Sequence, residues 1–226
     1  MAVLRNELKF YLHSADAHLL ENRLAFAIKR DRHSSEIFSY LVQSLYFDDP
    51  ALTAFYEKLD GIENRSKYRI RFYNDDLSYI RLEKKEKFRN LCRKTSERIT
   101  LDVAQAFVDG QPVFQNFADG LKGEFSHLIF HERYRPMVYL SYQRKAFVYP
   151  TGNVRVTLDS TLKASRFSGD LTRPCVTSVP VMDATETILE IKFNQFLPHF
   201  ISELFEDIPK QISAISKFCK GVEALY

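Results

Sequence analysis

The chain has 226 residues, of which 45% are hydrophobic, so it is long enough for one substantial domain with its own core and short for two. We therefore expect a single domain over residues 1–226. The formal net charge is only +3, with 32 Lys and Arg residues set against 29 Asp and Glu residues. This balance argues against a general nucleic-acid-binding protein, and any positive field must come from the placement of the basic residues.

The three cysteines, Cys92, Cys175 and Cys219, are far apart and follow no Cys-x-x-Cys spacing. Neither a disulfide framework nor a zinc site is indicated, and a reducing cytoplasm is the expected location. The first residues do not form a basic region followed by an apolar run, so no secretory signal is expected. No stretch reaches the roughly 18 uncharged apolar residues of a membrane span.

The first half of the chain is predicted to alternate short strands and helices. Residues 3–12 read as a strand, and apolar residues then recur at helical spacing over 15–29, with Ser14 as the N-cap. Pro50 suits the first turn of a short helix. Asn74-Asp75-Asp76 favours a hairpin turn, although it lacks glycine. Strands are predicted at 40–47, 66–74, 78–88 and 91–99.

The second half contains further strands and a long segment rich in turns. Residues 165–183 are predicted to be a mobile loop, and residues 196–225 are predicted to be helical with a break at Pro209. Other helices are predicted at 102–107 and 124–132, and other strands at 137–148, 154–161 and 187–193. The whole pattern predicts an α+β fold with about eight mostly antiparallel strands, an order that can close into a barrel.

Basic residues recur at every second position in six of these segments, each with a carboxylate close by. Successive side chains of a strand point to opposite faces, so each segment has a charged face and an apolar face. For any one segment, a half-buried strand with its charges in water is equally plausible. Six such strands favour a charged barrel interior instead. Like charges packed there would repel unless an anion of the polyphosphate type lay between them.

The order of these segments resembles the VTC domain, the catalytic module of vacuolar transporter chaperone polyphosphate polymerases and their bacterial relatives. That family lies within the triphosphate tunnel metalloenzymes, which also include the CYTH-type phosphatases. The resemblance runs from Arg5 to about Gly221. It rests on Arg5-Asn6-Glu7-Leu8-Lys9-Phe10, Arg69-Ile70-Arg71-Phe72-Tyr73, Leu82-Glu83-Lys84-Lys85, Tyr142-Gln143-Arg144, Arg155-Val156-Thr157-Leu158-Asp159, Leu189-Glu190-Ile191-Lys192 and Ser216-Lys217-Phe218.

The resemblance implies an antiparallel β-tunnel of about eight strands whose interior basic residues bind ATP and polyphosphate. It implies phosphate contacts for Lys9, Arg69, Arg71, Lys85, Lys94, Arg144, Arg155 and Lys217, all but Lys9 counted as catalytic. Lys87 and Lys192 join the phosphate-binding set because they share strand faces with Lys85 and Glu190. Glu190 is implied to hold Mn²⁺ or Mg²⁺, with help from Glu7 and Glu83.

Two departures from the family pattern bear on activity. Tunnel phosphatases begin with Glu-x-Glu-x-Lys, whereas this chain has Arg5 at the first position, which favours transfer of the ATP γ-phosphate to polyphosphate. Ala214 stands where the polymerases carry a second lysine. Two alternatives therefore stay open: a triphosphatase of the same fold, and a non-catalytic polyphosphate sensor that partners a membrane protein.

Two histidines and several other charged residues are predicted to have no role in catalysis. His127 and His131 stand four apart on a predicted helix, and two exposed histidines are favoured over a zinc site. Lys29-Arg30-Asp31-Arg32 is predicted to be a solvated helix end. Lys84, Glu86 and Lys145 are predicted to be surface charges on the outer strand faces.

Overall fold

The computed structural model describes residues 4–31, 39–89, 91–111, 113, 120–212 and 215–226. Its strands are β1 (Asn6–His13), β2 (Lys29–Arg30), β3 (Tyr40–Asp48), β4 (Asn64–Tyr73), β5 (Asp76–Phe88), β6 (Leu91–Ile99), β7 (Arg135–Tyr149), β8 (Val154–Ser165), β9 (Val179–Pro180), β10 (Glu186–Phe193) and β11 (Gln211–Ile212). Its helices are α1 (Ser14–Ala27), α2 (Thr53–Leu59), α3 (Leu101–Val108), α4 (Gly120–Phe130), α5 (His199–Glu203) and α6 (Lys217–Glu223).

The strands form one antiparallel sheet with the order β11-β1-β10-β8-β7-β3-β4-β5-β6, to which β2 adds beside β7 and β9 beside β8. The sheet curls until its two ends approach, because Arg5 and Cys92 exchange two backbone hydrogen bonds of 3.1 Å. Among the described residues this bridge is the only backbone pairing between the β1 and β6 segments. The predicted α+β, tunnel-like fold is confirmed, although the hydrogen-bonded ladder does not close continuously.

Helices cover the outer face of the sheet on two sides. The apolar residues of β3, β4 and β5, such as Ile70 and Leu82, are fully buried with Phe125 of α4. On the opposite wall, Leu20 and Leu24 of α1 pack with the apolar residues of β8 and β10. Because the alternating apolar faces are buried under helices, the charged faces turn toward the interior.

Apolar residues fill part of the interior. Val42, Leu162, Ile188 and Ile215 are each at most 5% exposed and belong to one cluster inside the sheet. Next to them, α6 packs so closely on β7 that a Cβ at Gly221 would lie 2.5 Å from Leu140 Cδ2. The C-terminal segment therefore occupies one part of the tunnel and leaves the charged part beside it.

The structure corrects the prediction for residues 196–225. Among the described residues of this segment, only α5 and α6 are helical, and between them β11 pairs with β1 through Phe10 and Tyr11. Pro198 and Pro209 limit α5 to one short stretch, since proline cannot continue a helix. The predicted loop at 165–183 contains β9, and α4 begins four residues before its predicted start.

The structure corrects one of two local predictions, the cap of α1, and confirms the other, the turn between β4 and β5. The α1 helix is capped by His13, whose side chain accepts from the Ala15 amide, and not by Ser14. The hairpin between β4 and β5 forms as predicted, with Asn74 and Asp75 both at positive φ, of 51° and 58°. Asn and Asp tolerate this left-handed region, so they replace the glycine that such turns usually carry. No helix in the described part of the chain is long and apolar enough to cross a membrane.

Candidate functional site

Side chains from eight strands and from the start of α6 meet in the tunnel interior, in three groups centred on carboxylates. The first group is centred on Glu83 of β5, whose side chain is 1% exposed. Arg69 donates to Glu83 Oε2 through Nε at 2.8 Å and Nη2 at 2.6 Å, and Lys94 donates to Oε1 at 2.8 Å. Burial alone would raise the pKa of Glu83, but Arg69, Arg71 and Lys94 hold it well below its ordinary value.

Hydroxyl groups also accept hydrogen bonds from the two arginines in this group. Arg69 Nη1 donates to the Tyr46 hydroxyl at 2.6 Å, and Arg71 donates to Ser44 Oγ at 2.9 Å and to the Tyr142 hydroxyl at 3.2 Å. Both guanidinium groups therefore have defined orientations. The sequence interpretation identified the arginines but not the hydroxyl residues, although Ser44 and Tyr46 alternate on one face of β3.

The second group is centred on Asp159 of β8, which is also 1% exposed. Arg144 donates two hydrogen bonds of 2.6 Å to its two carboxylate oxygens, and Lys217 lies 2.8 Å from Oδ2. Burial would raise the pKa of Asp159, but Arg144 and Lys217 lower it. Asp159 was not predicted as a site residue, although it shares a strand face with Arg155 and alternation alone would have indicated it.

The third group contains Glu7 of β1 and Glu190 of β10. The register pairs Lys9 with Glu190 and Glu7 with Lys192, so opposite charges face each other along the two strands. Lys85 donates to both Glu7 oxygens at 2.8 and 2.7 Å, Lys9 lies 3.5 to 3.6 Å from both carboxylates, and Lys192 is paired with both. Burial and mutual repulsion would raise the pKa of Glu7, but the lysines hold it below its ordinary value.

The Glu7 and Glu190 pair fits a divalent cation better than Glu83 does. Two carboxylates on neighbouring strands supply hard oxygen ligands, and Mg²⁺ or Mn²⁺ commonly takes one or two carboxylates together with phosphate oxygens and water. Among the described residues, no group of three or more His, Cys, Asp or Glu side chains surrounds a common point. Glu83 is enclosed by two arginines and a lysine, which leaves its oxygens engaged.

Arg155 and Lys87 lie apart from the three groups. Arg155 donates to the Tyr40 hydroxyl at 3.0 Å and forms an ion pair with Asp31. The prediction of a solvated helix end was wrong for Asp31, which is 5% exposed, because Lys29–Arg30 form β2 on the edge of β7. Lys87 shares the inner face of β5 with Lys85 but forms no ion pair with a described residue.

Lys67 was missed, although it alternates with Arg69 and Arg71 on the inner face of β4. It donates to Ser216 Oγ at 3.1 Å and to Cys219 Sγ at 3.4 Å, at the start of α6. Ser216 in turn caps α6 by accepting from the Cys219 amide. Burial lowers the pKa of Lys67 to about 8. Cys219 is buried, as predicted for a core residue.

The outer faces of the strands carry the charges that were predicted to lie there. Lys84 pairs with Glu124 of α4, and Lys145 pairs with Glu21 of α1, each at 2.5 Å. These lysines attach helices to the sheet and are not free surface charges. The rings of His127, on α4, and His131, just after α4, lie 4.3 Å apart without a third metal ligand among the described residues. Ala214, which bears on polymerase activity, lies outside the described residues.

The chain is similar to known proteins in sequence and in fold. A family model for the VTC domain matches residues 4–226. Among solved structures, an adenylyl cyclase candidate from Hippeastrum with a dominant triphosphatase activity is 16% identical, with a TM-score of 0.54 over 98% of this chain and 96% of that chain. An adenylate cyclase candidate from Bacillus halodurans is 14% identical, with a TM-score of 0.48 over 90% and 88% of the two chains. No curated protein sequence matches the chain.

Proposed function

Because this chain belongs to the VTC domain family, we propose that it transfers the γ-phosphate of ATP to the end of an inorganic polyphosphate chain, using a divalent metal ion. The proposed unit is a single tunnel domain over residues 1–226. In this proposal the substrates lie among the three charged groups of the interior. The metal ion is Mn²⁺ or Mg²⁺, held by Glu7 and Glu190.

The observation that carries the proposal is the excess of basic side chains in the interior. Five carboxylates, with Asp31 counted, share it with ten basic residues, so a positive field remains after every carboxylate is paired. A chain of phosphates is the anion that matches several such positions in a row. The ten are Lys9, Lys67, Arg69, Arg71, Lys85, Lys94, Arg144, Arg155, Lys192 and Lys217.

The residues supply what phosphoryl transfer requires. Its loose transition state calls for alignment of the attacking and leaving oxygens and for positive charge near the non-bridging oxygens. Arg69, Arg71 and Arg144 are oriented by buried partners, so their guanidinium groups hold phosphate oxygens in fixed positions. Lys85 and Lys192 are each 30% exposed and can move from glutamate to phosphate as the substrate enters. A divalent ion would neutralise further charge on the phosphates.

A second candidate function is a triphosphatase of the same fold. Its support is the dominant triphosphatase activity of the structurally similar Hippeastrum protein. Against it stands Arg5, which occupies the first acidic position of the tunnel phosphatases. A basic residue there removes one candidate metal ligand and adds charge that favours binding over hydrolysis of a phosphate chain.

The test is to incubate the purified protein with ATP and Mn²⁺, with and without a short polyphosphate primer, and to measure chain length and free phosphate. Growing chains would support the polymerase, and free phosphate alone would replace it with the triphosphatase. Absence of turnover together with tight tripolyphosphate binding would replace both with a sensor.

Two lysine variants make a matched control for this assay. Lys85→Ala removes an interior lysine that pairs with Glu7, and Lys145→Ala removes an outer lysine that pairs with Glu21. Each variant loses one lysine and one close ion pair. Only Lys85→Ala should reduce product formation. Equal losses in the two variants would contradict the location of the reaction in the tunnel.

A further inference from the structure

A pocket of about 630 Å³ lies beside the tunnel, where β8 begins and β10 ends. Its walls consist of one leucine, one proline, one glycine, one phenylalanine and three amide side chains. The Phe196 side chain is 54% exposed and that of Leu4 is 44% exposed, so both present apolar surface to the pocket. The lining includes Leu4, Pro150, Asn153, Asn194, Gln195 and Phe196.

The pocket is built by close backbone contacts. Gly152 adopts a φ of +74°, and a Cβ at this position would lie 2.7 Å from the Phe196 carbonyl oxygen. The backbone N–H of Asn194 also donates to the Gly152 carbonyl at 2.9 Å. Only glycine allows the Phe196 segment to approach in this way, so the wall that carries the aromatic ring is held in place.

The chemistry of the pocket differs from that of the tunnel interior. None of its described lining residues is charged, whereas the interior is lined by lysines, arginines and carboxylates. Amide side chains offer both donors and acceptors, and aromatic faces stack on flat rings. Asn194 Oδ1 is buried and has no hydrogen-bond partner among the described residues, so rotation of the side-chain amide would offer an unused acceptor to a group in the pocket. These properties suit an uncharged, planar, hydrogen-bonding group and not a phosphate.

The pocket adjoins the phosphate-binding residues at the ends of two neighbouring strands. Asn153 immediately precedes β8 and lies two residues before Arg155, and Asn194 immediately follows β10 and lies two residues after Lys192. Arg155 and Lys192 are directly paired in the sheet. Two residues of chain span at most roughly 7 Å, a distance comparable to the sugar that separates a base from its first phosphate. Arg5 joins the two regions by donating to the Asn153 carbonyl.

We infer that this pocket binds the base of a nucleoside triphosphate whose phosphates lie between Arg155 and Lys192. The inference rests on the proposed function and names the part of the protein that distinguishes ATP from inorganic tripolyphosphate. In this arrangement Phe196 stacks on the base, and the Asn194 side chain rotates so that its oxygen accepts a hydrogen bond from the base. Inorganic polyphosphate has no base and leaves the pocket empty, so one tunnel accepts both the donor and the growing chain.

The experiment measures dissociation constants for ATP and for tripolyphosphate with the full chain and Mn²⁺, by calorimetry. Phe196→Ala removes an exposed ring, and Phe26→Ala removes a 97% exposed ring on α1 as the control. Phe196→Ala should weaken ATP binding about fivefold or more and leave tripolyphosphate binding unchanged, because base stacking is lost. Phe26→Ala should change neither constant. Asn194→Ala should reproduce the selective loss with a second side chain.

The two ligands separate failure of this inference from failure of the proposed function. If Phe196→Ala and Asn194→Ala leave the ratio of ATP to tripolyphosphate affinity unchanged while both ligands bind, the inference is overturned and the proposed function stands. If the wild-type protein does not bind tripolyphosphate, the proposed function fails and the inference fails with it.

Discussion

The group around Glu83 and the group around Glu7 and Glu190 use the same kinds of charge in different ways. Glu83 is a single carboxylate, 1% exposed, surrounded by Arg69, Arg71 and Lys94. Glu7 and Glu190 are two carboxylates that share three lysines, two of them 30% exposed. The Glu83 group has rigid guanidinium donors and a surplus of positive charge. The group of Glu7 and Glu190 has flexible ammonium donors and nearly balanced charge.

This difference indicates that the two groups have separate roles within one tunnel. A buried carboxylate that fixes arginines prepares a rigid surface for phosphate, because Arg presents a planar fork of donors. Carboxylates paired only with lysines can exchange those partners for a metal ion, since lysine side chains are long and partly hydrated. The two groups should therefore respond differently when their glutamates or their basic residues are substituted.

The largest effect is expected from breaking the Glu83 group with Arg69→Ala. The variant leaves a buried carboxylate with fewer partners, which should lower the free energy of unfolding by about 3–5 kcal/mol. Tripolyphosphate affinity should fall roughly 10- to 100-fold, because hydrogen bonds to charged groups contribute about 1.5–3 kcal/mol each. Urea denaturation and calorimetry measure the two effects separately.

The double variant Arg69→Ala/Glu83→Gln is the control for this prediction. It removes the unpaired charge, so stability should largely recover while tripolyphosphate binding stays weak. Unchanged stability in the single variant would contradict the anchoring role of Glu83. Recovery of binding in the double variant would contradict direct phosphate contact by Arg69.

Glu190→Gln is expected to have a smaller effect, with the opposite sign on tripolyphosphate affinity. Loss of a negative charge beside Lys9 and Lys192 should strengthen tripolyphosphate binding severalfold without metal. The Mn²⁺ concentration for half-maximal turnover should rise about tenfold or more, since a metal ligand is lost. Glu124→Gln, on the outer face beside Lys84, is the matched control and should change neither value. If Glu190→Gln alters neither metal dependence nor affinity, the sensor alternative gains support.

The smallest effect is expected from pH, through Lys67. Its pKa of about 8 lies below the ordinary 10.5, so Lys67 is charged at pH 7 and mostly neutral at pH 9. Tripolyphosphate binding should weaken about three- to tenfold over this range relative to Lys67→Arg, which keeps its charge. The unfolded chain holds this proton to higher pH, so the contribution of Lys67 to stability increases between pH 8 and 10.5.

The comparison with Lys67→Arg corrects for protonation of the ligand itself, since the ligand is the same for both proteins. Equal pH dependence in the two proteins would remove Lys67 from the binding site. Lys94 also has a lowered pKa, but its side chain is 52% exposed, so water weakens the effect there.

Strand alternation predicted much of the fold and site from sequence. The charged faces of β4, β5 and β10 were identified because Arg69, Glu83 and Glu190 each have same-face partners two residues away. The boundaries of β6 were also predicted as they are found. These successes depend on local periodicity, which a single sequence contains.

What could not be predicted depends on contacts between distant segments. The role of Asp31 follows from the pairing of β2 with β7, and the contact of Lys67 with Ser216 follows from α6 packing inside the tunnel. The strand at Gln211–Ile212 is too short to show a period and exists because β1 offers an open edge. Ring closure between Arg5 and Cys92 likewise has no local signature.

The order of the sheet also has a consequence for protein synthesis. β1 pairs with β10, so Asn6 finds its partner Phe193 only after most of the chain has left the ribosome. Until then β1 has neither of its neighbouring strands, because β11 follows β10 in the chain, and β8 lacks β10 too. Such distant pairing slows folding and exposes strand edges. A chain that stopped before β10 would leave β1 without a neighbouring strand and β8 with an open edge, and it would aggregate rather than form a smaller tunnel.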